Sequence, residues 1–138
     1  MNFFFFFFVC KKHLFFSTGA SDTKSVLQTP PDIIKRNGES VVSGIKCSHK
    51  ITNYDRIFWY KQDEHRNLKL LGFLNVKFVN LEDDAKGKFN FDGLGSEKSS
   101  LSISDLALND SAVYFCAASR HSAADSPHVI FSGFFTLL

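Results

Sequence analysis

The residues that could do chemistry are few and poorly arranged for it. Five histidines, His13, His49, His65, His121 and His128, lie scattered along 138 residues. None stands at ligand spacing from a cysteine or another histidine, which a zinc site requires. The cysteines are Cys10, Cys47 and Cys116. Serine and aspartate are plentiful, but a triad cannot be read from abundance. No glycine-rich phosphate loop follows a strand pattern. Catalysis, metal and cofactor binding are therefore not expected. One modification signal stands out: Asn109-Asp110-Ser111 matches the N-glycosylation acceptor.

Composition narrows the class further. Hydrophobic residues make up 44% of the chain, enough for a packed core. The length allows one domain of about 100 residues with ends. A net charge of +2 is too small to argue for nucleic acid or an anionic membrane surface.

Residues 1–20 are set apart by phenylalanine, with an apolar run from Asn2 to Val9 resumed at Leu14-Phe15-Phe16. The run is too short and interrupted to span a bilayer. It reads as a secretory signal ending near Thr18-Gly19-Ala20, atypical because Lys11 and Lys12 fall inside the apolar part. A wrongly joined first exon is the rival reading. No later segment has the length and apolarity of a transmembrane helix.

From Ser21 the pattern is that of short strands about ten residues apart. Val26-Leu27-Gln28-Thr29-Pro30-Pro31 reads as an edge strand broken by proline, with Asp32 to Lys35 continuing along the other sheet's edge. Val41 to Cys47 alternates, with Val41, Ser43, Ile45 and Cys47 on one face and a bulge expected at Ser43-Gly44. Ser48 to Arg56 reads as a loop. Ile57 to Gln62 is the clearest strand, sending Phe58, Tyr60 and Gln62 to one face and Ile57, Trp59 and Lys61 to the other. Leu68 to Phe73 is the next strand, and Leu74 to Asn80 a loop or short edge strand. Phe89 to Phe91 and Ser99 to Ile103 follow as strands. In Asp110-Ser111-Ala112-Val113-Tyr114-Phe115-Cys116, Tyr114 and Cys116 share a face and Phe115 takes the other. No internal repeat and no helical period of useful length appear.

Several motifs carry a family resemblance. They are Gln28-Thr29-Pro30, Trp59-Tyr60-Lys61-Gln62-Asp63, the Leu101, Ile103, Leu106 spacing, and Asp110-x-Ala112-x-Tyr114-Phe115-Cys116-Ala117-Ala118-Ser119. From Val26 to Ser119 the chain resembles an immunoglobulin variable domain. More narrowly, it looks like the variable region of a T-cell receptor beta chain. The resemblance implies an all-β, V-type Greek-key sandwich of two antiparallel sheets over residues 21–119. It implies a Cys47–Cys116 bridge between the sheets, worth about 4 kcal/mol by the chain-entropy estimate, and an oxidising compartment. Trp59, Leu101 and Tyr114 take core positions, with Tyr114 closing a corner near Asp110. Lys88 replaces the more usual Arg as the ion-pair partner of Asp110, without a bidentate contact.

Function follows from the same resemblance. The first hypervariable loop maps to 51–56, with Asn53, Tyr54, Asp55 and Arg56 as contact residues. The second maps to 74–80, with Asn75 and Lys77, and the third begins after Cys116 with Ala118 and Ser119. Tyr60, Gln62, Leu68, Leu70 and Phe115 are implied to face a partner variable domain, that of an alpha chain in a heterodimer. The loops would bind peptide held by a major histocompatibility molecule at the plasma membrane, on its extracellular side. Signalling would run through an associated receptor complex in the full-length chain. The alternatives are a non-rearranging innate receptor or adhesion module, or another receptor or antibody variable domain.

The family's closing motif, Phe-Gly-x-Gly, is not matched. Residues 120–138 offer only Phe131-Ser132-Gly133, so strand G is expected to be missing or imperfect. His121-Ser122-Ala123 can be encoded by the heptamer CAC-AGT-G that flanks germline variable segments, although no nonamer is encoded at either usual spacing. The tail is accordingly read as read-through beyond an unrearranged segment.

Overall fold

A computed structural model describes residues 24–120, 129–131 and 135–136, so the segment read as a signal lies outside the described residues. Among the described residues, ten strands form two antiparallel sheets. They are β1 (Val26–Thr29), β2 (Val41–His49), β3 (Arg56–Gln62), β4 (Leu68–Asn75), β5 (Phe78–Leu81), β6 (Phe89–Leu94), β7 (Lys98–Ile103), β8 (Val113–Ser119), β9 (Val129–Phe131) and β10 (Phe135–Thr136). The first sheet runs β1-β2-β7-β6. The second runs β5-β4-β3-β8, with β9 and β10 both on the free edge of β8. Two one-turn 3-10 helices, Asp83–Ala85 and Leu108–Asp110, are the only helical elements among the described residues. This is the V-type sandwich.

The core follows from the alternation. Ile45 and Cys47 from β2, Ile57 and Trp59 from β3, Leu71 and Leu74 from β4, and Leu101 and Ile103 from β7 are buried between the sheets. Cys47 and Cys116 are disulfide-bonded across the interior. Trp59 stands opposite Cys116 in the β3–β8 register and has no exposed surface. Its indole N–H donates to the buried Ser99 hydroxyl at 2.9 Å, so this large side chain enters the core with its donor satisfied.

Two bulges shape the sheets. The β2–β7 register slips between Val41 and Ile45, where Ser43 takes φ 48° and its N–H donates to the Ser102 hydroxyl at 2.8 Å. The bulge expected at Ser43-Gly44 is therefore present. A second slip, between Trp59 and Tyr60 against β4, leaves Leu71 as the extra residue, next to Gly72. A Cβ at Gly72 would run into the Asn80 carbonyl of β5, so glycine is required for the close approach.

Near the end of the chain two short strands lie against β8. β9 pairs Val129–Phe131 with Ala117–Ser119, and β10 pairs Phe135 and Thr136 with Tyr114 and Val113. From Phe131 to Phe135 is four residues, while their partners Ala117 and Tyr114 are three apart, so the register steps by one residue between the two strands. Strand G is imperfect, as expected, and among the described residues consists of two short pieces. Two boundaries differ from expectation: β2 continues through Ser48 to His49, and β4 runs on to Asn75, with Leu74 fully buried. The short edge strand expected within 74–80 is present as β5.

A bridge closing 69 residues restrains the unfolded chain strongly. Replacing both Cys47 and Cys116 by Ala is expected to lower unfolding stability by about 4 kcal/mol. Urea melts of the variant and the oxidised wild type check this. A loss under about 1 kcal/mol would count against the bridge as the main clamp.

Candidate recognition surface

β3 enters the sandwich at Arg56 and leaves it at Gln62, and β8 runs antiparallel from Val113 to Ser119. One end of the molecule therefore collects the 50–55 turn, the β4–β5 hairpin tip, the β6–β7 turn and the end of β8. These segments are fastened to each other by backbone bonds. Asp55 N–H donates to Ser119 C=O at 3.2 Å, Val76 N–H to Asp55 C=O at 2.9 Å, and Gly95 N–H to Val76 C=O at 2.6 Å. Gly95 sits so close to the Asp55 and Leu74 carbonyls that a Cβ there would collide with both.

His49 completes the brace. It is buried, its Nε2 lies 2.8 Å from the Gly95 carbonyl, and its Nδ1 is 3.2 Å from the Ile51 N–H. With Nδ1 accepting from Ile51, Nε2 carries the proton and donates to Gly95. One imidazole thus ties the start of the first loop to the β6–β7 turn. Neither His49 nor Gly95 was singled out as a binding-end residue from the sequence. A histidine two residues after Cys47, on the inward phase of the strand, was the available signal.

The expected loop residues divide. Asn53, at φ 68°, and Lys77 are exposed in their turns. Asp55, Arg56 and Asn75 are half-buried, with Arg56 already in β3 and Asn75 ending β4. The Arg56 guanidinium lies 5.8 Å over the Phe73 ring. Among the described residues, Asp55 Oδ1 and Arg56 Nε are buried without a hydrogen-bond partner. Tyr54 is not a surface contact: it is 4% exposed, meets His49 edge-on at 6.3 Å, and packs with Ile51 and Ala118. Six loop residues leave little room, so the ring fills the space under its own turn. Ala118 and Ser119 are not loop residues either. β8 continues three residues past Cys116, burying both against β3 and β9.

The outer face of the second sheet carries stacked aromatics. Phe58 lies 5.0 Å from Phe73 and 6.5 Å from Tyr60, and Tyr60 lies 5.3 Å from Phe115. Of the residues expected to face a partner, Leu68 is exposed at 53%, and Tyr60, Gln62 and Leu70 are half-buried. Phe115 is the exception at 6% exposed, because its ring is stacked under Tyr60 rather than presented. It supports the face from below.

At the opposite end Asp110 is nearly enclosed. Lys88 Nζ is 2.6 Å from its Oδ2 and also donates to the Asp105 carbonyl. Lys61 Nζ stands 4.0 Å from Oδ1 and donates to the Asn109 carbonyl at 2.6 Å. Oδ2 accepts the Ala107 N–H at 2.8 Å, and the Tyr114 hydroxyl donates to the Asp110 carbonyl at 2.7 Å. Asn109 itself is exposed. Burial, and then the Asp110 charge, hold the Tyr114 phenol well above its usual range. Burial raises Tyr60 as well, whereas burial of Lys61 lowers its ammonium despite Asp110.

This arrangement is that of the immunoglobulin V-set family, to which the chain belongs: the family's model matches residues 28–138. Within it the chain is similar to antigen-receptor variable segments. It is 32% identical over 111 residues to human T cell receptor beta variable 3-1, covering 80% of this chain and 94% of that one. It is 29% identical over 109 residues to human T cell receptor alpha variable 9-1, covering 77% and 91%. A chain from a structural study of T cell specificity and activation by the bacterial superantigen toxic shock syndrome toxin-1 superposes with TM-score 0.71 at 25% identity, over 82% of this chain and 96% of that one. The chain is an antigen-receptor variable domain.

Two measurements follow. Replacing His49 with Ala strands the Ile51 N–H and the Gly95 carbonyl, and is expected to cost on the order of 2–3 kcal/mol. Amide exchange at residues 50–55 should rise with it, and unchanged exchange there would deny His49 the bracing role. The second concerns alkaline pH. A phenol with a raised folded pKa contributes stability that is intact below the free value of about 10 and lost as pH climbs beyond it. Lys61, with its lowered pKa, has the opposite sign over its own window. With two phenols against one half-buried amine, stability is expected to fall above about pH 10. Tyr114→Phe should be less stable at neutral pH by about 1–2 kcal/mol but show a flatter alkaline limb.

Proposed function

We propose that this chain is the variable domain of a T-cell receptor beta chain, contributing to recognition of peptide held by a major histocompatibility molecule. The observation that carries the reading is the outer face of the second sheet on an antigen-receptor variable domain. Stacked Phe58, Phe73 and Tyr60, with exposed Leu68 at the rim, form the kind of apolar patch that marks an interface. A second variable domain, that of an alpha chain, fits it. The braced turns at one end then stand beside those of the partner, where loops on a rigid scaffold can vary without upsetting the core. Asn53 and Lys77 are the exposed members of the expected contact set. The domain works by binding, not catalysis, at the extracellular side of the plasma membrane as part of a longer receptor. Among the described residues no helix is long and apolar enough to cross a membrane.

Residues 120–138 we read as the germline flank of an unrearranged segment, with the heptamer behind His121. A second reading is favoured by the pairing of β9 and β10 with β8 and by a family match that runs to residue 138. On that reading the receptor does not rearrange and encodes its own strand G. Lymphocyte transcripts primed within Trp59–Asp63 separate the two. Reads that diverge after about Ser119 and continue into joining and beta constant sequence support the rearranging receptor. Reads that always continue through His121–Leu138 overturn it in favour of the second reading.

Pairing has its own test. Leu68→Asp places a charge on an exposed site of the proposed face, so the fold should be unaffected. Its affinity for a co-expressed alpha variable domain is expected to fall at least about tenfold, the equivalent of about 1.4 kcal/mol. Equal affinity with wild type would move the partner surface elsewhere.

A further inference from the structure

We propose that Asn109 carries an N-linked glycan, seated at the end of the sandwich opposite the loops. Asn109-Asp110-Ser111 is the one Asn-x-Ser/Thr sequence in the chain. Asn109 is exposed in the middle of the 3-10 turn Leu108–Asp110, and its side chain takes no part in the hydrogen bonds that hold that turn. The corner is anchored by other atoms: the Asp110 carboxylate and carbonyl, and the Asn109 carbonyl, which accepts from Lys61. A substituent on Asn109 Nδ2 therefore breaks none of the corner's hydrogen bonds among the described residues.

The surroundings suit a sugar. Asn109 borders an open cleft of about 540 Å³ between the β3–β4 turn and the 108–113 segment. Asp63, His65 and Lys69 line it with groups that can meet sugar hydroxyls, and Leu108, 61% exposed, offers an aliphatic surface to a pyranose face. In the transfer, Asn109 Nδ2 forms a bond to the anomeric carbon of an oligosaccharide supplied as a lipid-linked diphosphate. The bond from that carbon to the diphosphate breaks, the lipid diphosphate leaves, and one amide proton passes to the transferase's base. Because β3 runs from Arg56 at the loop end to Gln62 at the cleft, the glycan lies a full strand length from the turns of the binding end.

The proposal rests on the chain's passage through the secretory pathway, which the receptor reading also requires. The test therefore places the full chain behind an established secretory leader in cultured animal cells and analyses the translocated fraction, marked by an oxidised Cys47–Cys116 bridge. Peptide N-glycosidase should collapse that fraction to one faster-migrating band and convert Asn109 to Asp, read by mass spectrometry. Asn109→Gln and Ser111→Ala should migrate with the collapsed band, and Ser111→Thr should keep the shift. Oxidised wild-type chain with unmodified Asn109 overturns the proposal while leaving alpha-chain pairing and the transcript result untouched. A glycan with no loss of alpha-domain affinity is the full expected outcome. A glycan that blocks pairing would overturn its placement away from the recognition surface.

Discussion

Everything in this fold hangs on the contact between Trp59 and the Cys47–Cys116 bridge. The bridge pins β2 of one sheet to β8 of the other, and Trp59 stands beside Cys116 in the neighbouring strand. The indole is wholly buried only because Ser99, opposite Cys47 in β7, accepts its N–H. Four strands from both sheets thus meet through one covalent bond, one ring and one hydrogen bond. Once that centre is set, the period of two decides the rest: Ile57 and Leu74 must lie inward, and Phe58 and Tyr60 must lie outward.

That outward phase is what makes the domain social. A sheet with a packed inner face need not be apolar on its outer one, since an antiparallel sheet can face water on one side. Here the outer face is aromatic, its rings stacked upon each other and capped by Arg56. The loop end shows the complementary strategy. Its turns present polar residues outward while Gly95, His49 and the Asp55 backbone lock them to each other from beneath. Variation in exposed side chains is then cheap, and variation in the brace is not.

The fold was legible because its signals were local and periodic. Cys47, Trp59, Tyr114 and Cys116 lie on strands whose alternation can be counted, and the Ser43-Gly44 bulge announced itself by two weak strand residues. The loop residues were less legible. Tyr54 has the composition of a contact residue, yet its ring is needed to fill the space beneath a six-residue turn, and nothing in local sequence states how much space a turn encloses. Phe115 was placed on the correct face, but the ring that covers it comes from Tyr60, fifty-five positions away. Ala118 and Ser119 were assigned to a loop because the length of β8 depends on what pairs with it, and β9 begins only at Val129. Gly95 could not be read at all: its reason for being glycine is the carbonyl of Asp55, forty residues upstream.

The side chain of Gln28 has a consequence for the outer edge of β8. β1 belongs to the other sheet, yet the Gln28 amide donates to the Tyr114 carbonyl at 2.9 Å and accepts the Cys116 N–H at 3.1 Å. Those two groups fall where the pairing of β10, at Val113 and Tyr114, gives way to that of β9, at Ala117 to Ser119. A primary amide has the same donor and acceptor as a peptide unit, so Gln28 bonds to β8 as a neighbouring strand would. Among the described residues, the edge that would otherwise template a foreign strand is covered by two short strands and one borrowed side chain.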